Sequence, residues 1–494
     1  MQLTGYSFIA GQWQGHPEAG QFYAFEPKHN RFLNQAYCNA TAAQLTYAID
    51  AAQQAFLTYR KATSAQRATF LNTIADEIMA LGDALLDITH QETNLPLARL
   101  QGERGRTVTQ LRAFATALNA GQATLIDAAE PTREPLPKPR LELAKLPVGV
   151  VAVFGASNFP YAFSTLGGDT ASALAAGCPV VVKSHTAHPG TSELMTRAIA
   201  TAISKCGMPN GTFSMIQAKD YAISHQLVAH PFIKAVGFTG SLNVAQKLMA
   251  TIQTRREVIP FYGELGSINP QFVLPELAAT EGNTLAAALV QSMLMGNGQF
   301  CTSPGVWLIP ETACELLNQA QALVLKSQSD TLLTPAITAS YQQAITARAQ
   351  MPGVQLFARG ELLAPYHGEA VLFKTTLANY LAIPALHEEV FGPQAVIVTY
   401  RDIAELAQFI AVLEGQLTAS MHGSHADLIQ FSALAEQLQY QVGRLITNQM
   451  PTGVEVSPAM NHGGPYPSSS DVRCSSVGLT AMQRFQRPIC YQGA

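Results

Sequence analysis

The chain has 494 residues, 48% of them apolar and 13% charged, with a formal net charge of −4. It is too long for one ordinary core, so two or three domains are expected, and it is too apolar to be a disordered chain. Nothing in the balance of charge points to nucleic acid or an anionic membrane as partner. The seven cysteines are scattered, without a CxxC pair or zinc-type Cys/His spacing, so reduced thiols are expected and no metal. The N-terminus lacks a basic region followed by an apolar one, and no apolar run reaches the ~18 residues of a membrane span. A soluble cytoplasmic protein is the expectation.

Residues 1–37 suggest short strands and turns, beginning with Tyr6–Ala10. From Thr41 to about Leu125 the pattern is helical, with Thr41 and Gln44 spaced as a capping box and Pro96 separating helices. Four prolines mark 131–139 as a linker, and Leu141–Ala144 alternates like a strand. Alternation of strand and helix then begins. Val148–Phe154, Val180–Lys183, Phe213–Ile216 and Ala235–Phe238 are strands, separated by helices at Asp169–Ala176, Glu193–Ser204 and Ala222–Ala229. This rhythm predicts a parallel sheet covered on both faces, with ligands at the carboxyl ends of its strands. A second α/β rhythm starts near Asn269–Leu274, with helices near 311–327, 335–350 and 402–414 and a strand at Val396–Val398. The C-terminal stretch around Gly463–Ser470 has loop composition.

Several junctions carry groups suited to chemistry. The stretch Gly296–Thr302 ends a helix-like run and precedes the strand Val306–Ile309, with Cys301 inside it. Ionised, that thiol is a strong nucleophile; unionised and buried, it is inert. Asn158 follows the first strand, where its amide suits either an oxyanion or the cap of a turn. Lys183 ends the second strand and fits a ribose or phosphate, or simply solvent. Gly240 and Ser241 open a helix, whose free N–H groups suit a pyrophosphate, although GxGxxG is absent. Glu264 lies between glycines at the joint of the two α/β regions. It is either a turn acid or a general base whose pKa burial would raise towards neutrality. Glu389 and Phe391 belong to a loop that ends in a Gly-Pro turn.

Taken in order, Gly155-Ala-Ser-Asn-Phe-Pro160, Lys183, Phe238-Thr-Gly-Ser241, Glu264-Leu-Gly266, Gly298-Gln-Phe-Cys301 and Glu389-Val-Phe-Gly-Pro393 resemble the aldehyde dehydrogenase superfamily. The likeness spans nearly the whole chain. It leans to the NADP-linked branch that includes 2,5-dioxopentanoate (α-ketoglutarate semialdehyde) dehydrogenases and the fatty aldehyde dehydrogenases of luminous bacteria. Asn461–Pro467 and Arg484–Tyr491 resemble the semialdehyde group.

The resemblance implies an α/β fold with a Rossmann-type cofactor domain (1–130 and 148–262) and an α/β catalytic domain (263–445). It also implies a small β oligomerisation arm (131–147 and 478–494) and a C-terminal loop near the active site (446–477). Cys301 would attack the aldehyde, Asn158 and the Cys301 N–H would hold the alkoxide, and Glu264 would activate the hydrolytic water. Lys183 and Glu389 would bind the riboses, Gly240 and Ser241 the pyrophosphate, and Phe391 would lie near the nicotinamide.

Many NAD-linked relatives carry Glu three residues after the Lys. Thr186 stands there in this chain, so NADP is expected, with NAD as a competitor because no Arg lies near Lys219. His462 either lowers the pKa of the Cys301 thiol or is a loop residue bonded to backbone. Arg104 or Arg106 would meet the carboxylate of an acidic substrate, or else form surface ion pairs. Glu264 argues against a CoA-acylating enzyme, and Cys301, Glu264 and Asn158 together argue against a non-catalytic, crystallin-like protein. A homodimer or homotetramer is expected.

Overall fold

A computed structural model describes residues 2–121 and 124–493. Two seven-stranded sheets organise it. The first runs in the order Phe261–Glu264, Ile233–Thr239, Val150–Phe154, Val180–Lys183, Phe213–Ile216, Ser7–Ile9, Gln12–Gln14. Its first five strands are parallel, and the N-terminal strands pair antiparallel at one edge. Val151 and Val153 enter one apolar cluster, while Val150, Ala152 and Phe154 enter another on the opposite face. Alternate side chains point to opposite faces of a strand, and helices cover both faces here, so the sequence reads as an unbroken apolar run.

The second sheet has the order Gln355–Arg359, Val371–Thr376, Gln394–Tyr400, Val306–Pro310, Gln271–Val273, Gln416–His422, Val442–Thr447. Only the strand Gln355–Arg359 is antiparallel to its neighbour. Leu308 and Phe272 pack on one face, Trp307 and Val273 on the other. The α/β expectation is met in both sheets.

The helical region divides into Ala42–Tyr59, Ser64–Ala80, Gly82–Thr93 and Leu97–Ala120, with the Thr41/Gln44 capping box formed and Pro96 capping the last helix. Among the described residues no helix is long and apolar enough to cross a membrane.

A third, three-stranded sheet joins Gln486–Gln492, Leu141–Pro147 and Leu125–Asp127. It differs from the expected arm at both ends. Residues 125–127 belong to it, and the tail enters it only at Gln486. Before that, the 3-10 helix Leu479–Phe485 packs Ala481, Met482 and Phe485 into the core under the first sheet. The buried Arg484 is held there by an ion pair with Asp169, 2.8 Å.

Candidate active site

The helix Pro275–Leu294 ends in a tight turn, with Gly296, Asn297 and Gly298 all at positive φ (58°, 52° and 68°). Gly298 has no room for a side chain: a Cβ there would lie 2.1 Å from the Gly392 carbonyl carbon. The Gly-Pro turn after Phe391 therefore packs directly against the turn before Cys301, which joins two motifs far apart in sequence. Asn269 holds the other side. Its amide donates to the carbonyls of Cys301 and Ser303, both at 2.9 Å.

Cys301 is half-buried and lines a cavity of about 760 Å³. His462 Nε2 lies 3.5 Å from Cys301 Sγ and 2.9 Å from Glu264 Oε1. The Glu264 carboxylate can only accept, so this ring nitrogen carries a proton and donates to it. The second Glu264 oxygen accepts from Ser476 Oγ–H at 2.8 Å. The C-terminal loop also clamps the Glu264 strand through backbone: Leu265 N–H donates to the Ser468 carbonyl at 2.9 Å.

These partners change the expected electrostatics. Burial pulls the Glu264 carboxyl upward. The His462 charge and the hydrogen bonds from His462, Cys301 and Ser476 outweigh it, and the net direction is below the ordinary carboxylate value. The expectation of a base raised towards neutrality is thus corrected. Cys301 moves the other way. Burial raises its pKa, and the neighbouring Glu264 charge adds to that, with only Arg106 opposing. His462 is engaged by Glu264, so its expected lowering of the thiol pKa does not prevail. The resting site holds a neutral thiol beside a carboxylate.

Asn158 is buried and its Nδ2 donates to the Gln299 carbonyl at 2.9 Å, which places the amide beside the Cys301 segment. The Asn158 backbone is fixed in turn by Arg99, whose Nη2–H donates to its carbonyl at 2.6 Å. The Arg99 guanidinium is held between the Phe159 and Phe300 rings, at 5.1 and 4.7 Å from their centroids.

The two arginines singled out in the sequence part company. Arg104 donates to the Gly82 carbonyl at 2.7 Å, so it ties one helix to the start of another and does not line the cavity. Arg106 does line it, stacked 4.9 Å over Phe163, with Nη2 buried and unpartnered among the described residues. Arg444, unremarked in the sequence, lines the same cavity, and its buried Nε is also without a partner there. A charged residue inside the apolar strand Val442–Thr447 was the available signal. Ser476 and Asn269 left no such signal, because they act through contacts with distant segments.

Lys183, Thr186, Gly240 and Ser241 lie together at the carboxyl edge of the first sheet. Lys183 is half-buried, and burial alone pushes its ammonium down to about 8. Ser241 caps the helix Leu242–Gln253, and the Gly240 N–H donates to the Glu264 carbonyl at 3.1 Å, linking this edge to the Glu264 strand. Glu389 is exposed and approaches Gly266 so closely that a Cβ on Gly266 would lie 2.7 Å from its Oε2. Phe391 is half-buried beside it.

Residues 13–487 match the aldehyde dehydrogenase family. The chain is 45% identical over 499 residues to alpha-ketoglutaric semialdehyde dehydrogenase 2 of Azospirillum brasilense, covering 100% of this chain and 95% of the relative. It is 44% identical over 468 residues to alpha-ketoglutaric semialdehyde dehydrogenase of Acinetobacter baylyi, covering 92% and 88%. Among solved structures, betaine aldehyde dehydrogenase of Staphylococcus aureus in complex with NAD+ superposes with a TM-score of 0.85 at 18% identity, covering 99% and 96%. Indole-3-acetaldehyde dehydrogenase of P. syringae superposes with a TM-score of 0.85 at 20% identity, covering 100% and 97%. This chain belongs to the aldehyde dehydrogenase family.

Proposed function

We propose that the protein oxidises 2,5-dioxopentanoate to 2-oxoglutarate with a nicotinamide dinucleotide, NADP in preference to NAD. The observation that carries the chemistry is the convergence of Glu264 and His462 on Cys301, which lines a 760 Å³ cavity. The substrate is supported by the likeness to two alpha-ketoglutaric semialdehyde dehydrogenases, at 45% and 44% identity, and by two cavity arginines with nitrogens unpartnered among the described residues.

The strand-end residues suit the dinucleotide. Lys183, pushed down to about 8 and unpartnered among the described residues, is a donor for a ribose hydroxyl, and Glu389 is an exposed acceptor for the other ribose. Gly240 and Ser241 begin a helix of 12 residues, whose N-terminal N–H groups attract a pyrophosphate. Phe391 offers a ring for packing. Thr186 bears no charge to repel a 2′-phosphate. Once bound, the cofactor supplies a hydride acceptor.

The Cys301 thiol loses its proton to solvent through the cavity that the residue lines, and the sulfur adds to the aldehyde carbon. The resulting alkoxide accepts hydrogen bonds from Asn158 Nδ2 and the Cys301 N–H. Loss of hydride leaves a thioester on Cys301. Glu264 then takes a proton from the water that attacks it, with His462 holding the carboxylate in place.

Arg106 and Arg444 would grip the substrate carboxylate. Arg106→Ala is expected to lower kcat/KM for 2,5-dioxopentanoate by about 10- to 150-fold, the worth of one or two charge-assisted hydrogen bonds. A neutral aldehyde of similar length should be little affected. An equal loss for both would remove Arg106 from carboxylate recognition. In steady-state kinetics with both cofactors, NADP should be preferred, and Thr186→Glu should lower kcat/KM for NADP at least about 10-fold through like-charge repulsion. A strong NAD preference in the unaltered enzyme would refute the role given to Thr186.

A second reading is favoured by one feature. The cavity is also lined by Phe159, Phe163, Phe300, Leu445, Ile446 and Met450, which suit a fatty aldehyde. Reduced-nicotinamide absorbance with 2,5-dioxopentanoate against a long-chain aldehyde decides between them.

The unpaired cysteines suit a reducing compartment such as the cytoplasm. The outer strand of the small sheet exposes Leu125 and Ile126 by 68% and 54%, an edge that a second copy of this chain would cover in a homodimer or homotetramer.

A further inference from the structure

Cys301, Glu264 and His462 form a constellation of another kind. A thiol, an imidazole and a carboxylate, drawn from three distant segments, present ligand atoms that all lie within 4.8 Å of one another. These are the three donor types that zinc accepts, and three protein ligands with one open position are the pattern of an accessible zinc site. Bond lengths of about 2.3 Å to sulfur and about 2.1 Å to nitrogen, at tetrahedral angles, separate S and N by about 3.6 Å and N and O by about 3.4 Å. The observed separations are 3.5 Å for Sγ–Nε2 and 2.9 Å for Nε2–Oε1. A rotation of the Glu264 carboxylate by a few tenths of an ångström is all that the second pair requires.

The surroundings suit a cation as well. Glu264 and His462 are each held by a second partner on an atom other than the Oε1 and Nε2 that face one another. Ser476 Oγ–H donates to Glu264 Oε2, and the His462 backbone N–H donates to Ser475 Oγ at 2.9 Å. Such outer contacts orient metal ligands. Cys301 lines the cavity, which gives a path of entry for a metal ion and for the water that would take its fourth position.

We propose that this cluster is a reversible, inhibitory binding site for Zn²⁺. On binding, the Cys301 S–H bond breaks, its proton and that of His462 Nε2 leave to solvent, and bonds form from Zn²⁺ to Cys301 Sγ, His462 Nε2 and a Glu264 oxygen. No oxidation state changes. The metal then occupies the electron pair that would attack an aldehyde and the carboxylate that would activate water, so turnover stops. The inhibition rests on the catalytic reading given above, but the binding does not.

The experiment titrates the full-length enzyme with Zn²⁺ alone and follows three signals: X-ray absorption at the zinc edge, the rate of Cys301 alkylation by iodoacetamide, and turnover. The expected absorption signature is one sulfur at about 2.3 Å with nitrogen and oxygen at about 2.0–2.2 Å. Zinc should protect Cys301 from alkylation and inhibit turnover, both reversed by EDTA. His462→Asn leaves the thiol in place but removes a ligand, and zinc protection should then require about 100-fold more metal. Equal protection in His462→Asn and the unaltered protein would overturn the proposal. So would an absorption signature without sulfur or with sulfur alone, a readout that holds even if the variant misfolds. Zinc bound with the expected signature but without inhibition would leave the site standing and sink Cys301 as the nucleophile.

Discussion

Glu264→Gln is expected to abolish sustained turnover while making the Cys301 thiol more acidic. The two effects have separate causes. Hydrolysis of the thioester needs a base beside the sulfur, and Glu264 is the carboxylate within reach of Cys301 in the cluster. Loss of a positioned general base lowers the rate by about 10²- to 10⁴-fold. The first turnover should survive, because hydride loss precedes hydrolysis. Rapid mixing should therefore show a burst of reduced nicotinamide followed by almost no steady rate.

The thiol effect follows from the sign of the local field. Burial and the negative charge of Glu264 both hold the Cys301 pKa well above its ordinary value, so removing that charge lowers it. Iodoacetamide reacts with the thiolate, so the midpoint of its pH–rate profile should move to lower pH in Glu264→Gln. Within that window the variant is alkylated faster than the unaltered enzyme although it turns over far more slowly. If Glu264 served chiefly to ionise the resting thiol, the midpoint would move to higher pH, and the account of the resting site would fail.

Motif order and strand rhythm made much of this molecule legible. The strands Val180–Lys183 and Phe213–Ile216 were readable to the residue because an apolar run bounded by turns has few alternatives. Less visible was the strand Gln416–His422, buried throughout but built of Gln, Thr, Ser and His among its apolar residues. Its Gln416 accepts from Ser267 Oγ–H and the Ile268 N–H, and its Thr418 donates to Asn269, so polar satisfaction in the core disguises it as loop.

The electrostatics of Glu264 could not be read from its neighbours in sequence. Its pKa depends on His462 and Ser476, 198 and 212 positions away, and local composition supplies only the burial that pulls in the opposite direction. Arg104 and Arg106 show the same limit on a smaller scale. They stand two positions apart on one helix, so about 200° of rotation separates them, and only one can face the cavity.

Asn158→Ala should lower kcat by about 10²- to 10³-fold, the loss found when one side-chain donor is removed from an oxyanion site. KM should change little, because the missing hydrogen bond strengthens only as charge develops on oxygen. Geometry supports this division of labour. One amide hydrogen of Asn158 is committed to the Gln299 carbonyl at 2.9 Å, and the NH₂ group has a second to offer. Arg99 holds the Asn158 backbone carbonyl at 2.6 Å, which fixes the backbone from which the amide projects. The substitution also strands the Gln299 carbonyl, and a loss of about 1–3 kcal/mol in stability is expected from that alone. Stability loss and catalytic loss are therefore separable by measuring unfolding and turnover on the same sample. Rapid mixing separates this variant from Glu264→Gln as well, since Asn158→Ala should slow the burst itself, while iodoacetamide alkylation of Cys301 stays near the unaltered rate. An Asn158→Ala enzyme that is less stable but has an undiminished burst would mean that the amide only caps the turn after the first strand, leaving the Cys301 N–H as the sole donor to the alkoxide.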